Sequence, residues 1–405
     1  MNDHPTHASP LTTARDRHLF GPGRKRILSL DGGGVRGMLS LGILEHLERT
    51  IEEIEGQPVR LGEWFDLIGG TSTGSIIATL LALGYRVAEV RDLYERLAPL
   101  VFKRYWHLMG YQAKFDARNF KRECERFLGA RQLDSADLLT GLGIVLKRLD
   151  TGSSWTLINN PRSKFWNDPP PGNRHMLLAN LVRASTAAPH FFDPEPVPIV
   201  AGEPPGVFID GGLTPHNNPA LMLMMAAIIP AIGLNWKTGP DQLLVVSVGT
   251  GAFRPKLSPT EAMSSSAFRL AVKSLSAIIS ENQNLILTLM TYFGQSPLHW
   301  PINLEIGDLG PLVPQGGPLF RFLRYDARLD QAWLEEELGE RFSPKAVTEL
   351  QAMDNPVNLA ALLRVGQNAG RRQVRAEHLK GFEATPVSSP PPPRPRLPDS
   401  PGLPP

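Results

Sequence analysis

The stretch Gly70-Thr71-Ser72-Thr73-Gly74 constrains the fold more than any other part of this chain. It follows the apolar run 65–69 and precedes the apolar segment 75–83, which is long enough for a helix. A strand, a tight turn of small residues and a helix hold a serine in a strained backbone conformation, with its hydroxyl exposed at the carboxyl end of a sheet. The flanking glycines remove Cβ atoms where strand and helix pack closely. Ser72 is therefore a candidate nucleophile, although a loop without chemistry can have the same local pattern.

A second glycine-rich turn, Asp31-Gly32-Gly33-Gly34-Val35-Arg36-Gly37, lies between the apolar run 27–30 and a helical pattern over 39–54. A turn that leads from a strand into a helix presents backbone N–H groups and the helix dipole to an anion. Three anions fit such a turn: a dinucleotide pyrophosphate, a nucleotide triphosphate, or the oxyanion of an acyl-transfer intermediate.

The nucleotide interpretations each lack a required feature. The pattern Gly32-x-Gly34-x-x-Gly37 matches the dinucleotide fingerprint, but the acidic residues about 20 positions on lie inside the predicted helix instead of closing a second strand. The triphosphate loop would end in Gly-Lys-Ser or Gly-Lys-Thr, which is absent here. The oxyanion interpretation remains, because the next unit along the chain supplies a nucleophile.

A third turn, Asp210-Gly211-Gly212, follows the apolar strand pattern 207–209. On its own, Asp210 would be interpreted as a turn cap. Strands followed by glycine-rich turns and helices recur along the chain, however, and this predicts an α/β fold: three layers, α/β/α, around a mostly parallel central sheet. Functional loops of such sheets gather at the carboxyl ends of the strands, so the three turns are expected to converge.

Composition narrows the class of protein. The chain has 405 residues, 42% of them hydrophobic, which is ample for a buried core. A net charge of +2 gives no reason to expect a nucleic-acid partner. One cysteine, Cys124, fits a reducing compartment. No segment has the apolar core of a signal peptide or the length of a membrane span, so we expect a cytoplasmic protein, which could still contact the inner face of a membrane peripherally.

Four regions are predicted from the patterns. Residues 1–23 are expected to form a flexible leader, 24–255 the catalytic core, 256–384 a mainly helical extension packed on that core, and 385–405 a disordered Pro-rich tail. The extension has no catalytic signal of its own. It could gate the pocket, oligomerise or bind an activator, or it could simply be a helical cover of the same domain.

The three turns, in this order, resemble those of the patatin-like phospholipase family. Ala184-Ser185-Thr186-Ala187-Ala188-Pro189 and Ser247-Val248-Gly249-Thr250-Gly251 look like two further family blocks, and the resemblance covers roughly residues 25–255. It implies a patatin-like fold and a phospholipase A-type acyl hydrolase that cleaves acyl esters of membrane phospholipids through a Ser–Asp dyad and an acyl-serine intermediate. The expected partners are a phospholipid or other acyl lipid and a small-molecule or protein activator, with neither metal nor cofactor.

The resemblance also implies a role for each motif residue. Ser72 would attack the ester carbonyl, and Asp210 would accept its proton. Backbone N–H groups of Gly32, Gly33 and Gly34 would hold the oxyanion, with Arg36 adding positive potential. An aspartate is a weak base at its ordinary pKa of about 3.9, so burial or a short hydrogen bond must raise its proton affinity.

Other interpretations of the same residues stay open at this point. An α/β-hydrolase would use a Ser-His-Asp triad, and the histidines that follow Asp210 are His216, His299 and His378. A non-catalytic lipid-binding or ligand-gated effector module could use the same scaffold. The segment 187–192 could form one apolar wall of a substrate pocket or could be a packed loop.

Overall fold

The computed structural model describes residues 13–102, 114–253, 259–303, 305–339 and 341–383. The predicted Pro-rich tail and the first twelve residues of the predicted leader lie outside this part of the chain. The described residues form a single mixed sheet with helices on both faces.

The strands and helices alternate over most of the chain. The strands are β1 (Lys25–Leu30), β2 (Leu67–Thr71), β3 (Gly141–Arg148), β4 (Ser154–Ile158), β5 (Glu195–Val197), β6 (Gly206–Asp210), β7 (Leu243–Val248), β8 (Gly294–Gln295) and β9 (Phe320–Tyr325). The helices are α1 (Ala14–Phe20), α2 (Gly37–Glu55), α3 (Leu61–Trp64), α4 (Thr73–Ala82), α5 (Val87–Val101), α6 (Ala117–Leu128), α7 (Leu178–Ser185), α8 (Ala220–Ile228), α9 (Pro259–Ser264), α10 (Ala267–Phe293), α11 (Gln331–Leu338), α12 (Pro344–Gln351), α13 (Leu359–Gln373) and α14 (Ala376–Leu379).

The strands are hydrogen-bonded in the order β5-β6-β3-β2-β1-β7-β9-β8, and β4 pairs with β3 beside this path. β1, β2, β3, β7, β8 and β9 are parallel to their neighbours in this set. β4 and β6 run antiparallel to β3, and β5 runs antiparallel to β6. The predicted mostly parallel α/β/α architecture is confirmed.

The central strands are apolar on both faces because a helical layer covers each face. Along β7, Leu244, Val246 and Val248 pack in the cluster that contains α2, α5 and α13, whereas Leu243 and Val245 pack with α8 and α10. Successive side chains of a strand point to opposite faces, so one continuous apolar run supplies both interfaces.

The region expected to be a flexible leader differs from that expectation from Thr13 onward. Ala14–Phe20 is a helix, and Leu19 on it is completely buried against the α8 side of the sheet. The Leu19 carbonyl oxygen accepts a 2.8 Å hydrogen bond from Trp236 Nε1, and His18 Nδ1 lies 3.0 Å from Asp66 Oδ1. Apolar burial and these two polar contacts order the segment.

The extension after residue 255 is largely helical, but it also completes the sheet. β9 pairs in parallel with β7, for example through Leu323 beside Val246, and β8 pairs with β9. β9 alternates in the same way as the core strands, because Phe320 and Phe322 face α8 and α10 while Leu323 and Tyr325 face the opposite layer. The sheet therefore continues beyond the predicted boundary of the core.

Within the described residues, no helix has both the length and the apolar character that crossing a bilayer requires.

Candidate active site

Ser72 occupies the turn between β2 and α4 in a strained conformation. Its backbone has φ 52° and ψ −125°, a region that residues with a Cβ atom rarely adopt. A Cβ at Gly70 would overlap the carbonyl oxygen of Gly74, and a Cβ at Gly74 would overlap the last carbonyl oxygen of β1. The Ser72 N–H donates a 2.9 Å hydrogen bond to Ser185 Oγ, which in turn donates to a carbonyl oxygen of β3. Glycine spacing and this bond hold the serine in place.

The edge of β3 brings Asp210 to Ser72. β2 pairs along this edge up to Thr71, opposite Val145, and β6 continues on the same edge in the opposite direction, with Asp210 opposite Leu146. β4 occupies the other edge over the same stretch. The carboxyl ends of β2 and β6 therefore meet head to head, and Ser72 Oγ donates a 2.6 Å hydrogen bond to Asp210 Oδ2.

The second carboxylate oxygen of Asp210 is also held. Asp210 Oδ1 accepts a 2.7 Å hydrogen bond from the N–H of Gly212, in the predicted third turn. Gly211 lies so close to β3 that a Cβ there would overlap the carbonyl oxygen of Val145. Burial raises the pKa of Asp210 to about 6, against the opposing effects of the Ser72 hydroxyl, the Gly212 N–H and the Arg183 charge.

The first glycine-rich turn packs directly against the serine. A Cβ at Gly32 would lie 2.5 Å from Asn217 Oδ1 and 3.1 Å from the Ser72 Cβ, so glycine at residue 32 allows this close approach. The Gly32 N–H donates to the Asn217 carbonyl oxygen at 3.1 Å and is thus already engaged within the protein. Gly37 begins α2, where a Cβ would lie 2.6 Å from Thr73 Cγ2.

Arg36 makes hydrogen bonds that hold the same loop. Its Nη1 donates a 2.8 Å hydrogen bond to the Gly251 carbonyl oxygen, and its Nε lies 3.4 Å from the Gly33 carbonyl oxygen. The guanidinium lies 5.0 Å from the ring centroid of Phe253. Burial lowers the pKa of Arg36 to about 10, which leaves the side chain charged at neutral pH. Arg36 thus places a positive charge beside the loop, and its hydrogen bonds hold backbone carbonyl groups.

A buried ionic network behind the loop involves residues that sequence analysis missed. Asp31 accepts hydrogen bonds from Arg324 Nη1 at 3.1 Å and Nη2 at 2.7 Å. Arg324 also bonds Asp326 Oδ2 at 2.7 Å, and Asp326 Oδ1 accepts the N–H of Gly251 at 2.8 Å. No local signal marks Arg324, because its partner lies 293 residues earlier in the chain. Ser185 was inside a recognised block, yet nothing in that block indicated its bond to Ser72.

Ser72 and Asp210 line a cavity of about 1210 Å³. Gly32, Gly33, Gly34, Arg36 and Gly212 also line it, so the three predicted turns converge on one space. One end is apolar and is formed by Ile76, Leu97, Val101, Phe102, Phe120, Phe191 and Phe192. The segment 187–192 therefore supplies part of an apolar wall, which was one of its two interpretations.

The histidines lie in other environments. His299 Nδ1 is 2.6 Å from Asp308 Oδ2, and His378 Nδ1 is 3.1 Å from the Tyr325 hydroxyl. The backbone N–H of His216 donates to the Thr214 hydroxyl, and burial lowers the pKa of the His216 imidazole. The serine hydroxyl thus contacts Asp210 directly, without an imidazole between them. In the part of the chain that the structure describes, no group of three or more His, Cys, Asp or Glu side chains is arranged to hold a metal ion.

Comparison with known proteins finds a family match and several relatives. The family model described as patatin-like phospholipase matches residues 28–224. A cUMP-AMP-activated phospholipase of Escherichia coli is 31% identical over 259 residues, which cover 64% of this chain and 74% of that protein. A cGAMP-activated phospholipase of Escherichia coli (strain TW11681) is 28% identical over 243 residues, 58% of this chain and 65% of that protein. Human GIVD cytosolic phospholipase A2 gives a TM-score of 0.40 at 12% identity, covering 91% of this chain and 61% of that one.

Proposed function

The chain belongs to the patatin-like phospholipase family, and on that basis we propose that it hydrolyses acyl esters of membrane phospholipids through Ser72 and Asp210. The observation that carries the proposal is the 2.6 Å hydrogen bond from Ser72 Oγ to Asp210 Oδ2. The apolar end of the cavity supports it, because Phe102, Phe191 and Phe192 there offer a surface for an acyl chain.

Asp210 would act as the base in the first step. As Ser72 Oγ attacks the ester carbonyl carbon, its proton passes along the existing hydrogen bond to Asp210 Oδ2. A pKa raised to about 6 brings the carboxylate closer to the basicity that proton abstraction near neutral pH requires. The bond from the Gly212 N–H fixes the orientation of the carboxylate throughout.

Gly33 and Gly34 would supply the oxyanion donors. The Gly32 carbonyl oxygen accepts from Thr250 Oγ1 at 3.0 Å, and the Gly33 carbonyl oxygen faces Arg36 Nε at 3.4 Å. In a trans peptide the N–H points away from its carbonyl, so these bonds turn the N–H groups of Gly33 and Gly34 to the other side of the loop. The negative oxygen of the tetrahedral intermediate would be stabilised there.

The remaining steps complete the acyl-enzyme and then hydrolyse it. When the intermediate collapses, the alcohol leaves with the proton held by Asp210, and Ser72 keeps the acyl group as an ester. A water molecule then gives its proton to Asp210 while its oxygen attacks the acyl carbonyl. The fatty acid leaves, and the proton returns to Ser72 Oγ.

Product analysis on defined vesicles tests the proposal. Mass spectrometry should detect free fatty acid and lysophospholipid with the parent protein and neither product with Ser72→Ala. Ser264→Ala replaces an exposed serine on α9 and should release products at the parental rate. If Ser72→Ala and Asp210→Asn both turned over lipid as fast as the parent, a non-catalytic lipid-binding module would be the better interpretation.

We propose that the protein reaches its substrate from the cytosol by peripheral contact with a membrane. The outer face of α10 supports this, since Ile278, Leu285 and Tyr292 recur every seven residues and are 53%, 53% and 37% exposed. Gln283 and Leu287, on the opposite side of the helix, line the cavity.

Vesicle flotation measures this contact. Ile278→Glu together with Leu285→Glu should reduce the vesicle-bound fraction several-fold, because each glutamate would have to enter the apolar boundary of the bilayer. Leu149→Glu changes a side chain of similar exposure, 50%, at the end of β3 and should bind like the parent. Equal binding by all three proteins would exclude the α10 face.

We also propose that a small-molecule activator controls the activity. The support is that two relatives are cGAMP-activated and cUMP-AMP-activated phospholipases. Fatty-acid release should be measured with each cyclic dinucleotide and without either. If neither compound changes the rate more than about twofold, activation by these two compounds is excluded.

A further inference from the structure

The cavity has a second, polar end built by the extension after residue 255. Among apolar side chains such as Trp300 and Val347, it carries amide, hydroxyl, carboxyl and guanidinium groups, in contrast to the phenylalanine-rich end. The polar residues are Ser280, Gln283, Asn284, Asn303, Arg328, Asp330, Gln331, Thr348 and Gln351. The proposed hydrolysis of an acyl ester does not use any of these residues.

Arg328 is anchored next to the glycine-rich turn. The Ala252 N–H donates to the Ala327 carbonyl oxygen at 2.8 Å, and the Leu329 N–H donates to the Ala252 carbonyl oxygen at 2.8 Å. Arg328 thus lies on a continuation of β9, paired in parallel with Ala252. Ala252 directly follows Gly251, whose carbonyl oxygen accepts from Arg36. The position of Arg328 is therefore fixed by backbone bonds close to the proposed oxyanion loop.

The Arg328 guanidinium retains most of its binding capacity. It lies 5.1 Å from the ring centroid of Trp300, and its Nη2 donates to the Pro301 carbonyl oxygen. No carboxylate of a described residue lies within ion-pair distance of it, in contrast to Arg324 nearby, which contacts two. A guanidinium has five N–H donors, so Arg328 can offer several to a ligand.

We propose that Arg328, whose guanidinium lies over the Trp300 ring, binds the phosphate diester of the substrate's head group. This inference rests on the proposed phospholipid hydrolysis, because it assigns the two ends of one substrate to the two ends of the cavity. The planar fork of a guanidinium matches two oxygens of a phosphate, and the Trp300 ring and the Pro301 carbonyl oxygen hold the Arg328 guanidinium in place beforehand. The acyl chain would lie against Phe102 and Phe191, the ester at Ser72, and the phosphate at Arg328.

The position of Arg328 makes it a specificity residue for phospholipids over neutral lipids. Arg36 contributes a second charged guanidinium to the same cavity, 5.0 Å from the Phe253 ring centroid, but its hydrogen bonds hold the backbone of the loop. Loss of Arg328 should therefore weaken recognition of the head group and leave attack on an uncharged ester intact.

Kinetics with matched substrates test this assignment. For Arg328→Gln, kcat/KM on monomeric dihexanoylphosphatidylcholine should fall about 10- to 100-fold, the range for a lost hydrogen bond to a charged group, while kcat/KM on p-nitrophenyl butyrate stays within about twofold. Arg328→Lys keeps the charge without the fork and should fall between the parent and Arg328→Gln. Equal losses on both substrates, or no loss on either, would overturn the assignment.

Arg321→Gln is the matched control. Arg321 lies on β9, 4.9 Å from the Phe382 ring centroid, and donates to the carbonyl oxygens of His378 and Lys380, but it does not line the cavity. This variant should keep parental kcat/KM on both substrates. A loss like that of Arg328→Gln would show that any arginine of this strand has the same effect, and the head-group assignment would be wrong.

Binding without turnover separates this inference from the proposed function and from a soluble source of phosphate. Calorimetry on Ser72→Ala protein should show dihexanoylphosphatidylcholine binding that weakens at least about tenfold when Arg328→Gln is added. If only cGAMP binding depends on Arg328, the site takes a soluble phosphodiester and the head-group assignment is overturned. If lipid binding depends on Arg328 while the parent releases no fatty acid, the hydrolase proposal fails and the phosphate site stands.

Discussion

Two strands of the sheet end in the same tripeptide, Asp-Gly-Gly, and their carboxylates have different partners. Asp31 follows β1 and accepts hydrogen bonds from both terminal nitrogens of Arg324. Asp210 ends β6 and faces the Ser72 hydroxyl and the Gly212 N–H. Both carboxylates are almost completely buried. Burial raises the pKa of both carboxylates to about 6, so their partners distinguish them: Asp31 has its oxygens occupied by the guanidinium of Arg324, whereas Asp210 faces a hydroxyl whose proton it can accept.

The strands near each aspartate determine which side chain contacts its carboxylate. β9 lies beside β7 and β7 beside β1, and Arg324 lies opposite Ser247, which in turn lies opposite Ser29 of β1. At the other site, the end of β2 meets the end of β6 on the edge of β3 and brings a serine instead of an arginine. Identical local sequence thus supports a structural role at one site and a proposed catalytic role at the other.

The largest expected effect is on kcat and comes from removing the negative charge of Asp210. Asp210→Asn should lower kcat by about 10⁴-fold, because the amide cannot take the Ser72 proton, as expected for the acidic member of a catalytic constellation. At pH 7 its thermal unfolding midpoint should equal or exceed that of the parent, since the side-chain oxygen can still accept the Gly212 N–H and a buried charge is removed. Ester kinetics and calorimetric melting measure the two effects. A severe loss of stability would assign Asp210 the structural role instead.

The next effect is on stability and tests the ion pair between Asp31 and Arg324. Arg324→Gln leaves Asp31 and Asp326 buried without their cation, and the free energy of unfolding should fall by about 3–5 kcal/mol. Arg321→Gln, on the same strand, breaks an ion pair with the exposed Asp241 and should cost less than about 1 kcal/mol. Denaturant unfolding compares them. Equal losses for the two variants would show that the buried network does not stabilise the fold more than a surface pair.

A smaller effect is expected from pH. Since burial raises the pKa of Asp210 to about 6 and its ionised form is the proposed base, kcat/KM on an uncharged ester should rise with pH and level off above pH 7. At pH 5 it should be about a tenth of the plateau. A rate that stays constant from pH 5 to 8 would argue against Asp210 as the titrating base.

The same shift in pKa has a consequence for stability. The folded state holds the Asp210 proton more tightly than the unfolded chain, whose aspartate has a pKa of about 3.9. This contribution to stability is complete below pH 3.9 and is lost as the pH rises through about 6, by about 3 kcal/mol for a shift of two units. Asp210→Asn should lack this part of the pH dependence when unfolding is measured at pH 4 and pH 7.

The smallest effects should come from the histidines. His216→Ala, His299→Ala and His378→Ala should each keep kcat within about threefold of the parent, since the serine hydroxyl bonds the carboxylate directly. A loss above about a hundredfold in one of them, with the fold intact, would favour a Ser-His-Asp triad.

Much of the candidate site could be predicted because its signals are local. The spacing of Gly70 and Gly74 around Ser72 indicated a strained turn, and the structure has φ 52° there. The first glycine-rich turn was only partly predictable, because the engagement of the Gly32 N–H by Asn217 depends on a loop far along the chain. The bond from Ser185 to the Ser72 N–H was missed for the same reason.

The sequence by itself determined the strands, their glycine turns and the strained serine, because side-chain periodicity and the lack of Cβ atoms act within a few residues. The family resemblance pointed to Asp210 as the partner of the serine, but only the tertiary structure shows how that contact forms and that Asp31 meets an arginine instead. Those contacts join residues 138 and 293 positions apart, and they depend on β6 running against β3 and on β9 completing the sheet. Strand order and direction arise from packing over the whole sheet, which no local pattern encodes.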